Sequence, residues 1–324
     1  MRRRTLLALL ASGTLWPALG ATQQSKRVPV VGMLITHPPV TDAVVDYLRR
    51  GLREHGYEDG RTVRLEVRTA LGQLNRVPAL AEELVRLPAD VIVLVNEIAL
   101  RAAQRLTTTI PIVTVGYTDD PVSMGWIESY RRPGGNITGI YNVNSALAAK
   151  RLEMLKELLP ATSRVAVLFD PAFGKRHIDA LRPTARTLGM VLDPIPLRDR
   201  NDFGAGFKAA KARKVQAVLL MWSPMFYVHR VHIAELALQA GLPTVSELDT
   251  LTAAGCLLSY GSDGYYPFER AAYFVDRLLK GARASDLPVE QLSKLKLAVN
   301  LKTAKALGIA IPQSILLRAD EQIE

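Results

Sequence analysis

From Val28 onward the chain alternates between short β-branched apolar runs and amphipathic helical stretches, with little else between them. VPVVGMLIT is followed by Asp42 to His55, in which Val44, Val45, Leu48 and Leu52 fall on one helical face. VRLEV comes next, then a helix with Leu80, Leu84 and Val85 inward, then DVIVLV. A third helix carries Ile98, Ala102 and Leu106, and PIVTV closes the set. Near-continuous apolar strands separated by helices imply a parallel sheet buried on both faces, because the crossover helices must cover it.

The same pattern restarts after Asn142. A helix from about Leu147 to Leu159 leads to SRVAVLFD, and a helix ending at Gly189 leads to MVLDPIPL. A helix around Phe207 then precedes QAVLLMW, and one ending at Gly241 precedes PTVSEL. CLLSY, a helix from about Phe268 to Lys280, KLAVN and a short helix ending at Gly308 complete the chain. With 324 residues, 48% of them hydrophobic, there is material for two cores. The expected fold is α/β: two doubly wound parallel-sheet lobes.

Residues 1–21, MRRRTLLALLASGTLWPALGA, have the layout of a cleaved signal peptide: a basic start, an apolar stretch and small residues near Ala21. Arg3-Arg4-Thr5-Leu6-Leu7 resembles the core of a twin-arginine signal, so Sec and twin-arginine export both remain open. No cysteine lies at the cleavage region to carry a lipid anchor, and the expected location is the periplasm. The formal charge of +10 falls by three to +7 once Arg2, Arg3 and Arg4 are removed. The remaining basic residues are scattered and aromatics are 6% of the chain, a poor composition for a nucleic-acid groove. The single cysteine, Cys256, cannot form an internal disulfide, and in the apolar run CLLSY it reads as a small core residue.

Ligands of open parallel sheets bind beyond the carboxyl ends of the strands. That rule nominates Thr36, His37, Asn96, Glu97, Tyr117, Asp119 and Asp120 in the first lobe. In the second it nominates Asp170 to Phe173, Ser223, Pro224 and Glu247. Asn96 is placed to cap the following helix, and Asp120-Pro121 reads as a helix start. There is no G-x-S-x-G elbow, Walker loop, H-E-x-x-H or C-x-x-C, so neither catalytic residues, a cofactor nor a metal site is expected. His229 and His232, three apart on a helix, read as a surface pair. RRPGGNITGIYN, Arg131 to Asn142, has the glycines and arginines of a phosphate loop in the wrong order. Such a loop runs from strand into helix, whereas this one follows helix-like SMGWIESY and enters the β-branched run NITGIYN.

DPV, RRPGGNITGIYN and KRLEMLKELLP closely resemble the extracytoplasmic substrate-binding proteins of the TrpX-like ABC transporter family. SPMFYVHRVHIAEL, AAGCLLSYGSD, LPVEQ and VNLKTAKALGIAIPQSILLRADEQIE fit the same family. The resemblance covers the chain from about Val28 to its end. It implies a type I periplasmic-binding-protein fold, with a three-crossing hinge and a ligand held between the lobes. The crossings are expected near Asn142 to Ser145, Leu248 to Ala254 and Leu287 to Gln291. Lobe one is then 28–142 plus 255–286, lobe two is 143–254, and 287–324 crosses back. The implied role is capture of a small molecule by a monomer that delivers it to an inner-membrane ABC permease and its ATPase.

The chain departs from its relatives at three acidic positions, Glu97, Asp119 and Glu247, which together suggest a ligand bearing an amine or several hydroxyls. Asn142 joins the candidates at the crossing, and Tyr117, Phe173, Phe226 and Tyr260 are candidates to wall a ring. Two other classes of function compete with this reading: an exported α/β enzyme using the acidic residues as acid–base groups, and a ligand-sensing partner of a membrane signalling protein.

Overall fold

The computed structural model describes residues 27–36, 41–117, 120–141, 144–171, 175–262, 266–292 and 294–324. The expected export signal and four candidate residues, His37, Asp119, Asn142 and Phe173, lie outside these, as do the side chains of Tyr117 and Pro224. No helix of the described residues is long and apolar enough to cross a membrane.

The first part of the chain runs β1 (Val30–Ile35), α1 (Thr41–Glu54), β2 (Arg64–Thr69), α2 (Val77–Arg86), β3 (Val91–Val95), α3 (Glu97–Gln104), β4 (Ile112–Tyr117) and β5 (Ile137–Tyr141). The second part begins with α4 (Asn144–Leu158), β6 (Arg164–Phe169), α5 (Lys175–Thr187), β7 (Val191–Pro196), α6 (Asp202–Ala212) and β8 (Ala217–Leu220). It continues through α7 (Pro224–Val228), α8 (Arg230–Ala240), β9 (Thr244–Ser246), α9 (Asp249–Ala253) and β10 (Leu258–Ser262). Then come α10 (Tyr266–Leu279), β11 (Glu290–Gln291), β12 (Leu295–Asn300), α11 (Leu301–Ala306), α12 (Gln313–Leu316) and β13 (Glu321–Ile323).

Two sheets result, ordered β11-β5-β4-β3-β1-β2 and β13-β12-β10-β9-β8-β6-β7. All pairings are parallel except β10 with β12. Each sheet has a core on both faces, as strand periodicity requires. Val31, Met33 and Ile35 join α1 and α10 through Leu48, Leu52 and Phe274, while Leu34 joins α2 and α3 through Leu84 and Leu100. In the second sheet Val165 and Val167 pack with α4 and α5, and Ala166 and Leu168 with α6 and α8.

The backbone passes between the sheets three times: between Tyr141 and Asn144, between Ser262 and Tyr266, and between Gln291 and Leu295. This corrects the division expected from sequence. The sequence places Leu258–Ser262 in the first lobe, whereas β10 pairs with β9 and β12 in the second sheet. The second passage therefore comes after β10 and not near Leu248 to Ala254, where α9 simply links β9 to β10. After the second passage α10 returns to the first sheet, packing on α1, and β11 joins that sheet beside β5. The remainder from β12 onward belongs to the second sheet.

Residues 131–136 of the glycine-rich stretch form a turn that enters strand β5. The helix expected just before it is absent. Residues 121–130 form turns and bends, with Trp126 N–H donating to Pro121 O at 2.9 Å, one residue beyond helical spacing. Trp126 is buried against the α2–α3 face.

Cys256 is fully buried, and desolvation pushes its thiol up to about 11. Native protein at pH 8 should leave a thiol reagent unreacted, and full denaturation should release one equivalent. Rapid labelling of the native chain contradicts this packing.

Candidate functional site

The carboxyl ends of the parallel strands bring several candidates together, and strand register explains which. In the first sheet Leu34 pairs with Leu94, so two residues further on Thr36 meets Asn96. Asn96 Nδ2 donates to Thr36 Oγ1 at 2.5 Å. Its Oδ1 accepts from Ile98 N–H at 3.0 Å and Ala99 N–H at 3.3 Å, capping α3 as expected. Asn96 does this at φ 75° and ψ 171°, a region that is otherwise essentially glycine's. Both side chains are buried. The strain is maintained at the carboxyl end of β3, where the side chain caps α3. Glu97 follows, half-buried in the first turn of α3.

In the second sheet Leu168 pairs with Leu220, which carries Asp170 toward Ser223. Ser223 Oγ donates to Asp170 Oδ2 at 3.0 Å and accepts from Met225 N–H at 3.2 Å, capping α7. Ser259 pairs with Ser246, so Glu247 stands opposite Tyr260. A residue not anticipated from the sequence joins these two. Arg151 of α4 is 0% exposed. Its Nε donates to Tyr260 O at 2.6 Å, and its Nη2 lies 3.3 Å from Glu247 Oε2. Burial lowers the Arg151 pKa, and the Glu247 carboxylate opposes that shift.

Three expectations are corrected here. Glu247 is not a lone acid adding charge to a cleft; it is one half of a buried ion pair. Phe226 is not a wall for a ring. It is 1% exposed and packs edge-on against Phe203, 6.0 Å between centroids, in the α6–α8 core. Asp120 does not start a helix. Its exposed carboxylate accepts from Val122 N–H at 3.1 Å and from the Tyr130 hydroxyl at 2.5 Å, bracing the turn.

The Tyr130 hydrogen bond, with desolvation opposing and the turn's backbone groups assisting, holds the Asp120 carboxyl below its ordinary value. A depressed carboxylate adds stability above its unfolded pKa and loses it as pH falls through the folded one. Tyr130→Phe should therefore flatten the acid limb of the stability curve below about pH 4. An unchanged acid limb contradicts the brace.

With this geometry in place, comparison with known proteins decides the family. The model for "ABC transporter substrate binding protein" matches residues 28–323. The chain belongs to that family. A tyrosine-binding protein of Clostridioides difficile (strain R20291) is 22% identical over 289 residues, 88% of this chain and 82% of that protein. A conserved domain protein from Vibrio cholerae O1 biovar El Tor superposes with TM-score 0.83 at 26% identity, covering 92% of this chain and all of that one. An ABC domain from Streptococcus pneumoniae in complex with L-Trp gives 0.81 at 23% identity, covering 91% and 99%. The fold of this ABC substrate-binding protein is the type I periplasmic-binding-protein fold. Family members bind small ligands; the side chains brought together here cap α3 and α7 and pair Arg151 with Glu247.

Proposed function

We propose that this chain is the periplasmic solute-binding component of an ABC importer. It captures an amine- or hydroxyl-bearing small molecule between its two sheets and delivers it to an inner-membrane permease driven by an ATPase. The chain itself does no chemistry in this reading. The observation that carries it is the match to the family over residues 28–323, joined to three backbone passages between two sheets whose carboxyl edges hold Asn96, Ser223 and Glu247. Such passages suit hinge closure around a ligand. Amino acids with aromatic side chains are the first ligand class to try, because the relatives above include a tyrosine-binding protein and one solved with L-Trp. A half-buried Tyr260 at the site supports a ring.

A thermal-shift panel on the chain from about Ala21, stripped of carried-over ligand, tests this. It should hold amino acids, amines, nucleosides, sugars and organic acids. A ligand at 100 times its Kd adds about 2.7 kcal/mol, a shift of roughly 5–10 °C for lobes of this size. One amine- or hydroxyl-bearing class should give that shift. A shift from simple organic anions alone overturns the ligand class, and turnover of a panel member overturns the binding-protein role.

A further inference from the structure

The helix layer of the second sheet carries a cavity of about 580 Å³ that none of the candidate strand-end residues lines. It is bounded by Arg200, Asn201 and Gly204 at the start of α6, and by His229, His232 and Leu236 at the start of α8. Spacing of three puts both histidines on one face, and the packing of α6 on α8 brings Arg200 to them from a distant part of the chain. Phe203, fully buried, holds the two imidazoles, its ring centroid 5.6 Å from that of His229 and 6.3 Å from that of His232.

The charges gathered here are of one sign. Arginines elsewhere on the surface meet a carboxylate, as Arg49 meets Asp59, Arg164 meets Asp193 and Arg270 meets Glu290. The Arg200 guanidinium has no hydrogen bond or ion pair among the described residues. Burial lowers the pKa of His229, and the neighbouring charges of Arg200 and His232 lower it further. The acids nearby are turned to other work. Asp199 Oδ1 accepts from Asn201 N–H and Asp202 Oδ2 from Arg198 N–H, each at 2.7 Å. Glu235 Oε2 stands 3.8 Å from His232 Nδ1, and Arg230 stacks on Tyr227 at 5.0 Å. No carboxylate lines the cavity. Asn201, the N-cap of α6, makes no side-chain capping bond, so its amide adds a neutral donor. A guanidinium and two imidazolium rings are donors without acceptors. Their mutual repulsion is relieved by an anion between them and worsened by a metal cation.

We propose that Arg200, Asn201, His229 and His232 form a second ligand site, distinct from the strand-end site, which binds a doubly charged oxyanion and binds it more tightly as pH falls. The oxyanion is either a free ion or the terminal phosphate of a small molecule. It places negative charge beside both imidazoles and raises their pKa, so protons are taken up on binding. Uptake of one proton tightens binding by up to about tenfold per pH unit.

Sulfate is the probe, because it stays doubly charged across the range in which histidine titrates. Sodium sulfate, with sodium chloride at equal ionic strength as the control, is followed through the imidazole C2 protons of the full chain by NMR. His229→Gln and His232→Gln assign the two signals. Sulfate should move both saturably, shift their titration midpoints to higher pH and bind at least about tenfold tighter at about pH 5.5 than at about pH 7.5. His55, beside Asp276 of α10, should not respond. Arg200→Gln should weaken sulfate roughly 10- to 100-fold, with Tm unchanged because the side chain is exposed and without a partner. At about pH 7, tighter binding of glycerol 3-phosphate than of sulfate assigns the site to a phosphorylated small molecule, and equal or weaker binding assigns it to the free ion; either supports the site. Equal responses to sulfate and chloride reduce the effect to ionic screening and overturn the proposal. Sulfate binding that ignores pH, or that survives Arg200→Gln, overturns it as well. Signals that move with zinc alone and not with sulfate overturn it in favour of a metal. Each of these results leaves the solute-binding role proposed above where it stands.

Discussion

Arg151→Met should unfold the ligand-free protein roughly 10 °C below wild type. Removing one partner of a buried pair strands the other charge, at a cost of about 3–5 kcal/mol. Arg151 is 0% exposed and Glu247 4%, so solvent does not rescue the carboxylate. The substitution also takes the donor from Tyr260 O, at the end of β10. Arg151→Met combined with Glu247→Leu should recover most of the loss, because replacing the whole pair by apolar groups is often neutral. The check is Tm of the ligand-free single and double variants. A single variant within about 2 °C of wild type contradicts the buried pair.

Gly139→Ala should be comparably damaging, and it bears on the glycine-rich stretch before β5. Gly139 sits at φ 131°, and a Cβ there would lie 2.2 Å from Thr114 O and 2.6 Å from Thr114 N. Both are backbone atoms of the neighbouring strand β4, so no side chain can swing aside. Strain in a glycine-only conformation costs about 1–3 kcal/mol, and forced repacking adds about 1–3 more. The expected result is a Tm lower by roughly 10 °C, or failure to accumulate as soluble protein. Gly135→Ala is the control: nothing lies within 4 Å of its would-be Cβ, and its effect should stay within about 0.5 kcal/mol. Equal tolerance of both substitutions contradicts the β4–β5 packing.

These two residues show what the sequence did and did not make legible. Strand and helix order was readable because β-branched runs and helical periodicity are local signals, as Val31, Met33, Leu48 and Leu52 illustrate. The nominations of Thr36, Asn96, Ser223 and Glu247 followed from strand ends alone, and register then explains why Thr36 meets Asn96 and why Glu247 meets Tyr260. The second passage between sheets was misplaced because β10 reverses no local pattern; its partners, β9 and β12, are chosen by tertiary pairing. Phe226 was misread because an aromatic just after a strand can point to either layer, and Phe203 on a distant helix takes it into the core.

Arg151 was missed although its signal was present. Ala148, Leu152, Leu155 and Leu158 form the buried stripe of α4, and Arg151 sits within that stripe, three residues after Ala148 and four before Leu155. A charge on an apolar face requires a buried partner, and the acids at strand ends were the available ones. The pairing with Glu247 turns an apparent excess of acidic residues into a single neutralised pair at that edge.

The measurement that tests the central claim most directly is titration calorimetry of the ligand-stripped chain with L-tyrosine and L-tryptophan. The account predicts saturable binding at one site per chain, tighter than for the same molecules without their amino group. Absence of binding by either amino acid, with saturable binding of the deaminated acids instead, would contradict it.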